Sequence, residues 1–527
     1  MRKGQELEVG QACRPMMSEL TQMNAAHDIG LIRQSCVEAM PPELAGVFNE
    51  FHRQQISYCY WKSSRRLLSI LGGEGDIDLL VARSDQHRAQ RILIERDFKL
   101  FPSVGDRDHP ALSFLGYDER GGRLIHIHFH SVLIVGERLL KNYRIPWEEA
   151  LLTRAMHHPT LPIRILEPTA EALLLILRAC LELRRLDPMT LGEWQAAKRK
   201  FALDRAELAA QVDHGALRLL ASELLNEELA DLVADALYDK EELDSQARLC
   251  RYVRRHCAAY RSYNALEARV RSGARAVLWI AGGLNKHVLH VPRPWNRRAP
   301  GGGRMVAIVG VDGSGKSTSV AALRAWLNSK IDVVPIYFGT GDGRPSLFLR
   351  PFKLIMPLIM RVLKSKPSCA SHGKKSGQAP GSLYSLLLMI WAVAVAADKR
   401  KKLTAARRAT NRGLFVLADR YPQDQIRGFN DGPLLTRLTV APGWLRRLEA
   451  AAYALADRVP PDLVIKLVVT PETAARREPE MDPAIIRERI AALQRLQFPR
   501  ARVVCVDAEQ PFAQVIRAVK REIWRLL

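Results

Sequence analysis

The residues Gly310-Val-Asp-Gly-Ser-Gly-Lys-Ser-Thr318 carry the pattern G-x-x-x-x-G-K-[ST] in full. They follow Met305–Val309, an apolar run of strand length, and lead into Val320, Leu323 and Leu327 at the i, i+3 and i+7 positions of a helix. These residue types suit a polyphosphate. Gly310, Gly313 and Gly315 let the backbone curl, so that the N–H groups of a loop running from Gly310 through Asp312 and Ser314 to Thr318 converge on phosphate oxygens at the positive end of a helix. Lys316 then reaches the β- and γ-phosphates and the Ser317 hydroxyl ligates Mg2+, so ATP and Mg2+ are the expected cofactors.

A second apolar run, Leu414–Ala418, ends in Asp419-Arg420-Tyr421. A carboxylate at the C-terminal end of a sheet strand lies where a phosphate loop presents its ion, so Asp419 is expected beside Mg2+, either as a direct ligand or behind one. Arg420, next to it, is placed to clamp a phosphate.

Another constellation lies far upstream. Trp61-Lys-Ser-Ser64 is followed by Gly72-Gly-Glu-Gly-Asp76-Ile-Asp78-Leu-Leu-Val81. Aspartates at i and i+2 of a strand share a face, so Asp76 and Asp78 can share one or two Mg2+ ions. Farther on, His126, His128 and His130 alternate along Leu124–His130 and also share one face. They are candidates for a metal or a phosphate, or for histidines satisfied by backbone groups.

From Gly310 onward the chain resembles the thymidylate kinases. Its phosphate loop is similar to theirs, with an acidic residue at Asp312. Ala396-Ala-Asp-Lys-Arg400 is similar to the family's Ala-Ala-Asp-Arg stretch, and Asp419-Arg420-Tyr421 matches its Asp-Arg-Tyr motif. Pro461–Glu472 is similar to the strand and turn leading to its lid, and Cys505-Val-Asp-Ala508 to its closing strand. The resemblance covers about Arg304 to Leu527 and implies phosphoryl transfer from ATP. In it Asp312 would orient the acceptor or the loop, Lys316 would stabilise the transferring group, and Arg420 would hold the acceptor's phosphate. The catalytic arginine would be Arg476 or Arg477, on Thr473-Ala-Ala-Arg-Arg-Glu-Pro479, since the loop itself has none. Ile336–Arg344 departs from the family's Arg-Glu-Pro-Gly segment, so the ATP side is intact and the acceptor side rewritten. The implied acceptor is a nucleoside monophosphate or a related phosphorylated small molecule. The alternative is an ATP-binding regulatory protein without efficient transfer.

The upstream constellation resembles the nucleotidyltransferase fold, whose mark is a Gly-Ser turn and then Asp-x-Asp. Here Lys62-Ser63 stands at the turn, and the third carboxylate is not evident. With Lys141–Trp147 and Leu161–Pro168, the stretch is similar to nucleotidyltransferase-like proteins of bacterial surface-polysaccharide gene clusters, some of which are joined to a thymidylate kinase-like half.

The elements that must position these residues give an α/β fold. At about 150 residues per domain, 527 residues predict three or four domains. Texture divides the chain into an α+β nucleotidyltransferase-like domain over 1–165, a helical domain over 166–286, a Pro- and Gly-rich linker over 287–304, and a kinase-like domain with a parallel sheet over 305–527. Lysine and arginine total 79 against 56 acidic residues, a net +23 that favours anionic partners. The basic run Lys399–Lys402 with Arg407, Arg408 and Arg412 lacks aromatic interleaving and helix-turn-helix spacing, which argues against nucleic acid. A peripheral contact with an anionic surface and a homodimer stay open. The eight cysteines form no CxxC pair and read as reduced and mostly buried. No signal peptide or spanning segment is read, so a cytoplasmic protein is expected.

Overall fold

The computed structural model describes residues 40–104, 111–136, 140–182, 194–239, 247–285, 288, 291, 293–295, 297–339, 382–426, 432–435 and 441–527. Its fold is α/β. The chain divides into two compact units, residues 1–101 with 105–288, and 102–104 with 289–527. The Ser- and Lys-rich stretch over 364–381 lies outside the described residues.

In chain order the first unit contains α1 (Pro42–Arg53), β1 (Tyr58–Tyr60), β2 (Ile77–Val81), α2 (Gln86–Glu95), β3 (Lys99–Leu100), β4 (Leu112–Asp118), β5 (Arg123–His130), β6 (Ile134–Val135), β7 (Tyr143–Arg144), α3 (Glu148–Thr153), β8 (Ala155–His157) and β9 (Arg164–Leu166). The helices α4 (Pro168–Glu182), α5 (Trp194–Ala209), α6 (His214–Leu224), α7 (Glu227–Tyr238), α8 (Ala247–His256) and α9 (Ala265–Leu284) follow. A mixed seven-stranded sheet runs β3-β4-β5-β2-β1-β9-β8. Strands β2 and β5 pair in parallel, with Asp78 opposite His128 and Leu80 opposite His130.

The period-two alternation of a strand splits this sheet's residues between two cores. Tyr58, Tyr60, Ile77, Leu79, Val81, Ile127 and Phe129 pack with Phe48 and Phe51 of α1 and Ile92 of α2. Cys59, Trp61 and Leu80 face the opposite side and join Leu173, Leu174 and Leu177 of α4 with residues of α6, α7 and α8. The helical stretch therefore shares one core with the sheet. Asp78 has the parity of Leu80, and the three histidines alternate with Ile127 and Phe129, so all of them lie on the face that α4 covers. The helix α9 differs from its neighbours, because none of its residues is buried.

The second unit contains β10 (Met305–Gly310), α10 (Lys316–Asn328), β11 (Val333–Tyr337), α11 (Ser382–Thr410), β12 (Phe415–Asp419), α12 (Gly443–Arg458), β13 (Leu463–Val468), α13 (Pro471–Arg477), α14 (Pro483–Arg495), β14 (Arg502–Asp507) and α15 (Phe512–Leu526). Its five strands are ordered β11-β12-β10-β13-β14, and every pairing is parallel. Each residue of β10 and β12 is buried, as expected of central strands covered on both faces. Pro335, which cannot donate to a ladder, is confined to the edge strand β11. From β10 the chain leaves toward β11, and from β13 it leaves toward β14 on the other side. The C-terminal ends of β10 and β13 thus flank a topological switch point, where open parallel sheets bind ligands.

Two buried lysines fix the helices around that crevice. Lys466 of β13 donates to the carbonyls of Leu493 (3.0 Å) and Leu496 (2.5 Å), capping the C-terminal end of α14. Lys399 of α11 is only 2% exposed and donates to the Tyr453 hydroxyl of α12 at 3.0 Å. Lys402 pairs with the buried Asp398 at 2.6 Å. The basic run over 399–402 is therefore partly internal and not a continuous solvated patch.

Among the described cysteines, Cys59, Cys180 and Cys257 are buried, Cys250 is half-buried and Cys505 is exposed, all as free thiols. Among the described residues no helix is long and apolar enough to cross a membrane.

Candidate functional site

The phosphate-loop sequence connects β10 to α10 at the switch point. Gly313 (φ 77°) and Gly315 (φ 83°) occupy left-handed conformations that a side chain would strain. A Cβ on Gly310 would collide with the Ser314 hydroxyl at 2.4 Å, so glycine is required there by space. A Cβ on Gly315 would meet nothing within 4 Å, so open space borders the loop at that residue. Ser314 is buried, while Ser317 and Thr318 are exposed on the first turn of α10.

Lys316 folds back over the loop. It is 6% exposed, and its Nζ donates to the Val311 carbonyl at 2.5 Å and lies 3.6 Å from Asp312. Burial, with help from the Arg420 charge, pushes this ammonium down to about 8, against the pull of Asp312 and Asp419. Asp312 receives Arg420 Nη2 on Oδ1 at 3.0 Å and Arg489 Nη1 on Oδ2. Burial raises its carboxyl, but Lys316, Arg420 and Arg489 outweigh that and hold it below the ordinary range. Three cations thus converge on the Asp312 carboxylate, and Asp419 acts on Lys316 as well. Arg420 adopts φ 67°, an uncommon backbone region for a non-glycine residue, and its N–H is tied to the Ile308 carbonyl at 2.9 Å.

The expected ion partners meet as well. The Ser317 hydroxyl donates to Asp419 Oδ2 at 3.4 Å, and Asp419 is 8% exposed. A hydroxyl, a buried carboxylate, clustered cations and a glycine-rich loop form a donor set that fits a polyphosphate and a hard divalent cation.

Of the two arginines expected on α13, Arg477 reaches the loop. Its Nη1 donates to the Gly313 carbonyl at 3.0 Å and its Nη2 to the Ala508 carbonyl at 3.4 Å. Arg476 instead donates to Thr473 Oγ1 on its own helix at 3.2 Å. Arg489 was not anticipated. Its only sequence signal is one arginine among several on an amphipathic helix, and packing of α14 brings it to Asp312. Tyr421 of the Asp-Arg-Tyr motif is 3% exposed and donates to the Ala456 carbonyl at 3.0 Å, anchoring the end of β12 against α12.

The first unit gathers its own constellation. His126 Nδ1 lies 2.7 Å from Asp76 Oδ1, His128 Nδ1 lies 3.3 Å from Asp78 Oδ1, and His130 Nε2 lies 3.5 Å from the same oxygen. Lys62 holds the other oxygen of Asp78 at 2.7 Å. Burial disfavours the Asp78 carboxylate, but Lys62, His128 and His130 hold it well below the ordinary range.

Asp76 and Asp78 line a cavity of about 270 Å³ that also includes Lys62, Arg66, Arg178, Glu182 and Lys200. Arg178 makes a two-pronged contact with Glu182, both at 3.2 Å, and lies over the Trp61 ring at 5.4 Å. Burial opposes the Glu182 charge, but Arg178 and Lys141 outweigh it and hold the carboxyl down at about 2. Burial and the neighbouring Arg66 push Lys200 down to about 8. These helix residues were missed from sequence. Arg178 and Glu182 at i, i+4 read as an ordinary surface pair.

Fold and loop together define the second unit as a parallel α/β unit with a glycine-rich phosphate-loop motif at its switch point. No family model matches the chain. It is 33% identical over 225 residues to the uncharacterized ATP-binding protein YghS of Escherichia coli K12, a match spanning 42% of this chain and 92% of that protein. It is 25% identical over 224 residues to the uncharacterized ATP-binding protein YghR of the same strain, spanning 42% of this chain and 86% of that protein. The chain belongs to the family of YghS.

Proposed function

We propose that the second unit is an ATP- and Mg2+-dependent phosphotransferase of thymidylate kinase type, with a nucleoside monophosphate or a related phosphorylated small molecule as acceptor. The observation that carries this reading is the cluster of Lys316, Arg420 and Arg489 on Asp312, beside the Ser317–Asp419 pair and the open glycine loop. A pure binding loop needs backbone N–H groups and a lysine. The further arginines supply charge where a transferring phosphoryl group needs it. The names of YghS and YghR, which speak of ATP binding, also support it.

ATP supplies the phosphoryl group, and Mg2+ the divalent charge beside it, when both are bound. On this reading the chain's own residues bind and orient. The loop from Gly310 to Thr318 holds phosphate oxygens with its N–H groups, and Ser317 and Asp419 hold the ion. Lys316 and Arg477 bring positive charge to the loop. Asp312 keeps Arg420 aimed across the crevice, where it meets the acceptor's phosphate. The experiment is a screen of nucleoside monophosphates and sugar phosphates for ATP-dependent products. A product made by the wild type and absent with Lys316→Ala is expected; a product retained by Lys316→Ala would refute the assignment.

Asp76 and Asp78, with Lys62-Ser63 at the preceding turn, support a second site of nucleotidyltransferase type in the first unit.

A further inference from the structure

The cluster on β2 and β5 has a donor geometry that a pair of carboxylates alone would not give. Asp78 Oδ1 lies 3.3 Å from His128 Nδ1 and 3.5 Å from His130 Nε2. Two donors on one zinc-type ion, each about 2.0–2.1 Å from it at the tetrahedral angle, are about 3.4 Å apart. We propose that Asp78, His128 and His130 form a site for a divalent first-row transition ion such as Zn2+, bound through two imidazole nitrogens and one carboxylate oxygen. This deepens the second site proposed above. It rests on the donor geometry and not on the phosphotransferase reading of the other unit.

Four features of the surroundings support it. The three side chains come from paired parallel strands with Asp78 opposite His128, a rigid frame for donors. The charge of Asp78 is shared between two oxygens: Lys62 occupies Oδ2 at 2.7 Å, and Oδ1 faces the histidines. Behind His128, its other ring nitrogen faces Asp76 Oδ2 at 3.9 Å, and Asp76 is itself held by His126 Nδ1 at 2.7 Å. At that separation Asp76 makes no hydrogen bond to the His128 ring, but its negative charge lies beside the site and favours a cation there. Finally, Asp76 and Asp78, though not the histidines, line the cavity of about 270 Å³, so the carboxylate side of the cluster borders that space.

The donor set selects the ion class. Mg2+ takes oxygen ligands almost exclusively, whereas imidazole suits zinc, cobalt, nickel and iron. A second grouping, Asp76 with His126 and His128, fits less well. Its separations of 2.7 Å and 3.9 Å fall on either side of the tetrahedral spacing.

The test uses the full chain, stripped with a chelator and titrated with Zn2+, Co2+ or Mg2+ alone. One Zn2+ per chain is expected, bound at least about 100-fold more tightly than Mg2+, with the intense visible bands of tetrahedral Co2+ in the cobalt form. His128→Gln should weaken Zn2+ at least about 100-fold, and His126→Gln, which removes the partner of Asp76 beside the site, by about 10-fold or less. Lys316→Ala should leave Zn2+ binding unchanged, which separates this result from the fate of the ATP reading. X-ray absorption of the Zn2+-loaded wild type gives a readout that needs no variant: two imidazoles, oxygen donors and no sulfur shell. A sulfur shell, fewer than two imidazoles, or no stoichiometric Zn2+ binding would overturn the proposal. The last result would leave Lys62 as the resident cation of Asp78.

Discussion

In the second unit, Lys316 and Asp312 come from one loop and stand 3.6 Å apart, and two arginines from other elements close on the same carboxylate. In the first unit, Lys62 and Asp78 come from the ends of neighbouring strands and stand 2.7 Å apart, and the groups closing on that carboxylate are histidines. Both are lysine–aspartate pairs at a sheet, yet they are built for different partners. The phosphate loop gathers cations and backbone donors, groups that suit an anion. Around Asp78 one oxygen faces Lys62 and the other faces two imidazoles, which offer ring nitrogens as donors that the phosphate loop does not have. A buried lysine beside an aspartate does not define a chemistry; the third and fourth groups do.

The contrast is most sharply broken by removing the arginine that pairs with Asp312 at the phosphate loop. Arg420→Met should lower kcat/KM for the acceptor by about 10²–10³-fold, the usual cost of losing a charge-assisted contact to a phosphate. Lys62→Met, its counterpart in the first unit, should leave that rate unchanged. Next in size is the pair on α13. Arg477→Ala, which loses the contact with the Gly313 carbonyl, should cost on the order of 10–100-fold in kcat. Arg476→Ala, whose side chain bonds only to Thr473 on its own helix among the contacts described, should stay within about twofold. Equal effects of the two would remove the assignment of Arg477 to the loop.

Smaller effects appear as pH dependence, with opposite signs in the two units. Lys316 falls from an ordinary 10.5 to about 8, so between those values the unfolded chain holds a proton that the folded chain lacks. Stability contributed here rises with pH across that window, and below about 8 the cost of the buried charge is present in full. A bound polyphosphate favours the ammonium, so ATP binding near pH 9 should take up a proton. Calorimetry in buffers of different ionisation enthalpy should detect that uptake, and Lys316→Met should abolish it.

In the first unit burial lifts Glu171 from 4.5 to about 7, while the Ser64 N–H it accepts works against the rise. Between those values the folded chain holds the extra proton, so stability falls as pH rises through the window. Glu171→Gln keeps an acceptor for Ser64. It should stabilise the protein in urea by on the order of 1 kcal/mol at pH 8 and make no difference at pH 4.

How much of this could be read from the residues depended on how local each feature is. The phosphate loop is a nine-residue motif whose strand and helix lie beside it, so loop, strand and helix were all legible. Strand alternation put His126, His128 and His130 on one face, and the pairing of β2 with β5 brought that face to Asp76 and Asp78. Arg489, Arg178 and Lys200 were not legible, because amphipathic helices place arginine and lysine on solvent far more often than in a crevice. Lys399 misled in the other direction: within a basic run it reads as surface, but packing of α11 on α12 buries it against Tyr453. Charge counted along a sequence does not say which charges reach water.

Transfer of the γ-phosphoryl group of ATP at the phosphate loop of the second unit can be followed with γ-labelled ATP and the full chain. Three proteins are compared: wild type, Lys316→Ala and Asp76→Ala. Label in an acceptor product is expected for wild type and Asp76→Ala, and a loss of about 10²–10³-fold or more for Lys316→Ala. Undiminished transfer by Lys316→Ala, or loss confined to Asp76→Ala, would contradict transfer at this loop.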